Sequence, residues 1–105
     1  MTATNITSPP PETDEEGFLV DPHQWDESVA AQIAHENGIG ELTSRHWQVV
    51  RFMRETYLRT GTAPSIRALG KESGVPVREL YELFPKGPAK LAAKIGGISK
   101  PRGCI

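Results

Sequence analysis

The chain carries one cysteine in 105 residues, and it has no run of about 18 consecutive apolar residues of the kind that crosses a bilayer. The first shortage excludes an intrachain disulfide, so a domain of this size relies on its hydrophobic core. The second excludes a helical membrane span. No basic flank precedes an apolar stretch at the N-terminus, so no secretory signal is read there. A single small cytoplasmic domain without membrane contact is expected.

Basic residues are missing from one region. Residues 1–42 hold nine Asp/Glu and no Lys/Arg, whereas residues 43–66 sum to +3 and residues 67–105 to +5. The net charge of −1 therefore hides an acidic front and a basic rear. This is either a solvated dipole without purpose or a rear face suited to an anionic partner.

Several chemistries lack their residues. His23, His35 and His46 have no cysteine or second histidine at ligand spacing and read as surface or capping residues. Glu12, Asp14, Glu15 and Glu16 form an acidic stretch without the alternating oxygen ligands and central glycine of a calcium loop. There is no glycine-rich phosphate loop, nucleophile–base pair or paired carboxylate in an apolar setting. No metal or cofactor is expected.

Met1 to about Glu12, with Ser8-Pro9-Pro10-Pro11, reads as a disordered leader (residues 1–12). Gly17-Phe18-Leu19-Val20 is a short apolar run, either a strand or an extended docking segment. Asp21-Pro22 opens a first helix carrying Trp25, Val29 and Ile33, and Asn37-Gly38 stops it. Thr43 caps the longest helix, which buries Trp47, Val50, Met53 and Tyr57 and ends at Gly61. Trp25 and Trp47 read as core anchors. Ser65 caps a third helix through Ile66 and Leu69 that stops at Gly74. A fourth, about Val77 to Leu83, buries Leu80 and either Tyr81 or Phe84, and Pro85 to Pro88 breaks it. A fifth runs from Ala89 to about Ile95. Residues 96–105, with three glycines and a proline, read as a mobile arm.

Cys104 is the strongest candidate for chemistry. A lone cysteine is by default a small buried hydrophobe, but a penultimate one on a Gly/Pro-rich tail has little chain around it, and an exposed thiol is normally avoided unless used. Farnesyl-type prenylation needs cysteine fourth from the end, and Cys104 is second. Its thiolate can attack the outer sulfur of another protein's persulfide and hold that sulfur, which is exchange chemistry with one cysteine. An arm of ten residues reaches roughly 30 Å. Lys94, Lys100 and Arg102 favour the thiolate and the terminal carboxylate opposes it. Lys100 and Arg102 are also candidates for steering the arm toward partner surfaces.

The region from Arg67 to Phe84, two short helices joined by Gly74-Val75-Pro76, has the pattern of a helix-turn-helix, with Arg67, Lys71 and Arg78 as the cations of a nucleic-acid binder. Glu79 and Glu82 oppose phosphate approach, and a hairpin that only packs the core fits better.

Five segments in order, Thr13 to Leu19, Leu42 to Trp47, Pro64 to Arg67, Leu83 to Lys90 and the ending Lys100-Pro101-Arg102-Gly103-Cys104-Ile105, together resemble the DsrC/TusE family of sulfur-carrier proteins. The resemblance covers about residues 12–105. It implies an α+β, mainly α fold: a small N-terminal β element packed on a five-helix array, with a helix-turn-helix-like pair and a flexible C-terminal arm. The helical domain spans 13–95, and the arm, 96–105, carries sulfur on Cys104. Members serving dissimilatory sulfite reductase resemble this chain but have a second cysteine eleven positions upstream, where this sequence has Ala93. Single-cysteine members are TusE-like, and the resemblance implies a persulfide donor complex of TusBCD type, a tRNA thiolase of MnmA type, and 2-thiouridine at the wobble base as product, with tRNA met only indirectly. A single-cysteine carrier in oxidative sulfur metabolism is the alternative.

Overall fold

The computed structural model describes residues 12–85 and 87–100. The expected leader up to residue 11, Lys86, Arg102 and Cys104 lie outside the described residues.

Five α-helices follow a short 3-10 helix, Pro22–Gln24: α1 Glu27–Glu36, α2 Ser44–Thr60, α3 Ile66–Glu72, α4 Val77–Leu83 and α5 Pro88–Ile95. α5 is the hub, packing against each of the other four helices. Its composition explains this: Ala89, Leu91, Ala92, Ala93 and Ile95 are all buried, and the small alanines allow neighbours to approach from several sides. Val49, Val50 and Met53 of α2, Leu69 of α3 and Leu80 of α4 complete the centre.

The caps follow the sequence closely. Thr43 accepts from the His46 amide while His46 Nδ1 accepts from the Thr43 amide, a reciprocal capping box. The Ser65 side chain accepts from Ala68 N–H. α4 begins and ends at the expected residues, and Phe84 rather than Tyr81 is the buried aromatic, Tyr81 standing 46% exposed.

Three expectations need correction. No β-strand forms among the described residues; the N-terminal β element is reduced to one antiparallel bridge, Thr13 to Leu19. Asp14 explains why the chain turns instead of extending: its carboxylate accepts from the amides of Glu16 (2.9 Å) and Phe18 (3.0 Å), leaving Gly17 at φ +91°. Phe18 and Leu19 are plugged into the core and Val20 points out.

The first helix, expected from Asp21, is split. Asp21 caps only the 3-10 turn, Trp25 leaves helical geometry at ψ 139°, and Asp26 starts α1 anew by accepting from Val29 N–H.

The start of the expected arm belongs to the body. Ile98 is fully buried, and Gly96 and Gly97 are buried with it. α5 closes in a Schellman motif: Gly97 N–H bonds Lys94 O and Ile98 N–H bonds Ala93 O, with Gly97 at φ +70°. α1 ends the same way, Gly38 N–H to His35 O and Ile39 N–H to Ala34 O. In both, the isoleucine after the glycine seals the helix end.

Candidate functional site

The site is the C-terminal end of the fold, where the chain leaves α5 for Cys104. Its geometry is described through Lys100.

The last carbonyls of an α-helix have no partner within it, and here each finds one. Ala92 O accepts from Gly96 N–H, and the Schellman bonds serve Ala93 and Lys94. The indole of Trp25 donates to Ile95 O at 2.7 Å. Arg54 donates to Gly96 O and Pro22 O, each at 2.9 Å, with its guanidinium 4.4 Å from the Trp25 ring centroid. Burial pushes the Arg54 guanidinium below its ordinary value; the two carbonyls and the indole face offset that cost. Tyr57, one turn further along α2, bonds the Ser99 hydroxyl at 3.0 Å.

Lys100 pairs with Glu16 at 3.1 Å, and Arg51 of α2 pairs with Glu27 of α1. The acidic front and basic rear are therefore joined across the fold. Both pairs are exposed, so each contributes little to stability and exchanges readily. Lys94 lies 5.4 Å from the centroid of Phe18 and donates to Asn37 Oδ1 at 3.3 Å. An open hollow of about 180 Å³, lined by Trp25, Arg51, Arg54, Glu55 and Leu58, flanks this end of α2.

Ala93 is fully buried, and its carbonyl accepts from the N–H of Ile98, the residue that seals this helix end. Among the described residues no group of histidine, cysteine and carboxylate side chains is arranged to hold a metal, and no helix is long and apolar enough to cross a membrane. His23 and His35 are exposed. His46 is buried and polar: Nε2 meets Leu83 O at 3.0 Å, a group that only accepts, so the hydrogen sits on Nε2 and Nδ1 accepts from Thr43 N–H.

The helix-turn-helix-like pair does form, with Gly70 so close to Val77 that a Cβ would sit 2.4 Å from its methyl. Arg67, Lys71 and Arg78 are exposed, but Glu79, at the start of α4, is gripped by Arg45 through bonds of 2.8 and 2.6 Å. That hydrogen-bonded guanidinium holds the Glu79 carboxyl below its usual range.

The family model described as DsrC like protein matches residues 5–105. The chain belongs to the DsrC-like family. Sulfurtransferase TusE of Salmonella paratyphi A is 52% identical over 101 residues, covering 89% of this chain and 91% of that protein; TusE of Escherichia coli K12 is 50% identical over 102, covering 90% and 92%. Among solved structures, the oxidized gamma-subunit of dissimilatory sulfite reductase, DsrC, from Archaeoglobus fulgidus is 39% identical with a TM-score of 0.77, covering 90% of this chain and 92% of that one. As a member of this DsrC-like group the protein is a sulfur-transfer protein.

The packing of Trp25, Arg54 and Tyr57 around residues 95–99 was not foreseen from sequence. The Gly97-Ile98 pair was the available signal, since it repeats the Gly38-Ile39 pair that stops α1.

Proposed function

We propose that this protein is a single-thiol sulfur relay in which Cys104 accepts sulfane sulfur and passes it to a tRNA-modifying thiolase for 2-thiouridine formation at the wobble position. The Cys104 thiolate attacks the outer sulfur of a donor persulfide; the donor S–S bond breaks, Cys104 becomes Cys–S–SH, and the donor leaves as thiolate. The step is redox-neutral, and repeating it with Cys104 as donor delivers the sulfur onward. The donor would be a complex of TusBCD type and the acceptor a thiolase of MnmA type, with tRNA bound by the acceptor. Lys100 and Arg102 would steer the terminal segment toward partner surfaces.

The observation that carries this reading is the pairing of a lone Cys104 with Ala93. The match to the family extends to the C-terminus, yet the second thiol position is filled by a methyl group in the core. Without that partner no intramolecular disulfide or trisulfide forms, which favours the relay of the single-cysteine relatives over sulfite-reductase chemistry.

Cells whose only copy carries Cys104→Ser should lose wobble 2-thiouridine, measured by nucleoside mass spectrometry, while the variant protein remains folded. Undiminished thiolation would refute the assignment. Loss of growth on reduced sulfur with thiolation intact would instead favour oxidative sulfur metabolism.

A further inference from the structure

Trp25 and Arg54 bind backbone, and the backbone they bind is the root of the cysteine-bearing segment. Trp25 donates to Ile95 O and Arg54 to Gly96 O, the two carbonyls of the α5 terminus that the helix and its Schellman motif leave unserved. The same guanidinium reaches Pro22 O, tying the entry to Trp25 to the exit from α5. Gly97 lies flat on the indole: a Cβ there would stand 2.5 Å from Trp25 Cδ1. Filling space needs no donors aimed at these carbonyls. The result is a directed exit, continued by Ser99 on Tyr57 and Lys100 on Glu16.

We propose that Trp25 and Arg54 form a latch that fixes where the sulfur-bearing end leaves the body, making them positioning residues for transfer through Cys104. This rests on the carrier reading of Cys104. Four peptide units separate Lys100 from Cys104, so the Cys104 Cα stays within about 14 Å of the Lys100 Cα, against roughly 30 Å for an arm free from residue 96. The volume open to the sulfur shrinks about tenfold, and its effective concentration at a partner docked on this end rises accordingly.

The lone thiol supplies the test. A nitroxide on Cys104 should broaden backbone amides in a confined zone around Tyr57, Ser99 and Glu16. In Trp25→Phe, which keeps a ring and loses the donor, and in Arg54→Gln, that broadening should weaken at least twofold near Tyr57 and spread to other helices. Arg54→Lys, which retains the charge and one donor, should restore most of the wild-type pattern. With unlabelled protein, kcat/KM for taking sulfur from a protein cysteine persulfide should fall about tenfold in the first two variants, whereas loading by inorganic polysulfide, which needs no docking, should not change. A broadening pattern identical to wild type in both folded variants overturns the latch, as does an equal loss with both sulfur sources. Failure of wild-type Cys104 to take sulfur from either source contradicts the carrier reading itself and removes the latch's role in transfer, while leaving the broadening contrast measurable.

Discussion

The indole of Trp25 and the carbonyl of Ile95, 70 positions apart, meet at 2.7 Å and join the start of the fold to its end. Trp25 can do this only because it stands outside α1, in the extended residue between the 3-10 turn and Asp26. The helical spacing of Trp25, Val29 and Ile33 suggested one continuous helix. Both aspartates cap: Asp21 holds only the 3-10 turn and Asp26 starts α1, which leaves the indole outside the helix and able to reach α5.

Gly97→Ala should destabilise the protein by about 2–4 kcal/mol, combining a left-handed backbone with a Cβ driven into the Trp25 ring. Gly38→Ala has the same positive φ but open space around it, so only the conformational cost of about 1–2 kcal/mol is expected. Chemical denaturation of the two variants side by side measures the difference.

Ile98→Ala should cost about 2–4 kcal/mol, because it empties a fully buried site. A change within about 0.5 kcal/mol, as expected of exposed positions, would return residue 98 to a loose tail.

His46→Ala should cost about 3 kcal/mol, since it strands the Thr43 amide and the Leu83 carbonyl and removes the edge contact with Phe84. His46→Gln, a natural capping-box residue, should recover part of the loss by serving Thr43 again. Thermal melts of the pair report the share owed to each bond.

The Glu79 carboxyl is held down by Arg45, so its folded value lies below its unfolded one. Its stabilisation is present above the unfolded value, about 4.3, and is lost as pH falls through the lower folded value. The melting temperature of wild type should exceed that of Glu79→Gln at pH 7, and the gap should close in acid. A gap that widens below pH 4 would contradict the pairing.

Much of the helical frame was legible because its signals are local. Thr43, Ser65 and Pro76 each precede a helix start, and Gly61 sits where α2 stops. The functional end was read less well. Three glycines and a proline suggested an arm from residue 96, but Gly96 is buried at the end of α5, Gly97 is there for close packing on Trp25, and Ile98 seals the core. Composition does not distinguish a glycine that frees a chain from one that lets it pack. The N-terminal turn failed for a related reason: Phe18 and Leu19 carry the apolar pattern of a strand, and the Asp14 carboxylate takes the amides that a ladder would use. The meaning proposed for Cys104 rests on the count and position of thiols in the sequence, since the residue lies outside the described part of the fold.

That meaning is tested most directly by intact mass spectrometry of the full chain after incubation with a protein cysteine persulfide, followed by peptide mapping. The relay account predicts a gain of about 32 Da per sulfur atom, confined to the C-terminal peptide, abolished by Cys104→Ser and discharged by a thiolase acceptor. An unmodified wild-type mass, or sulfur retained in the Cys104→Ser variant, would contradict it.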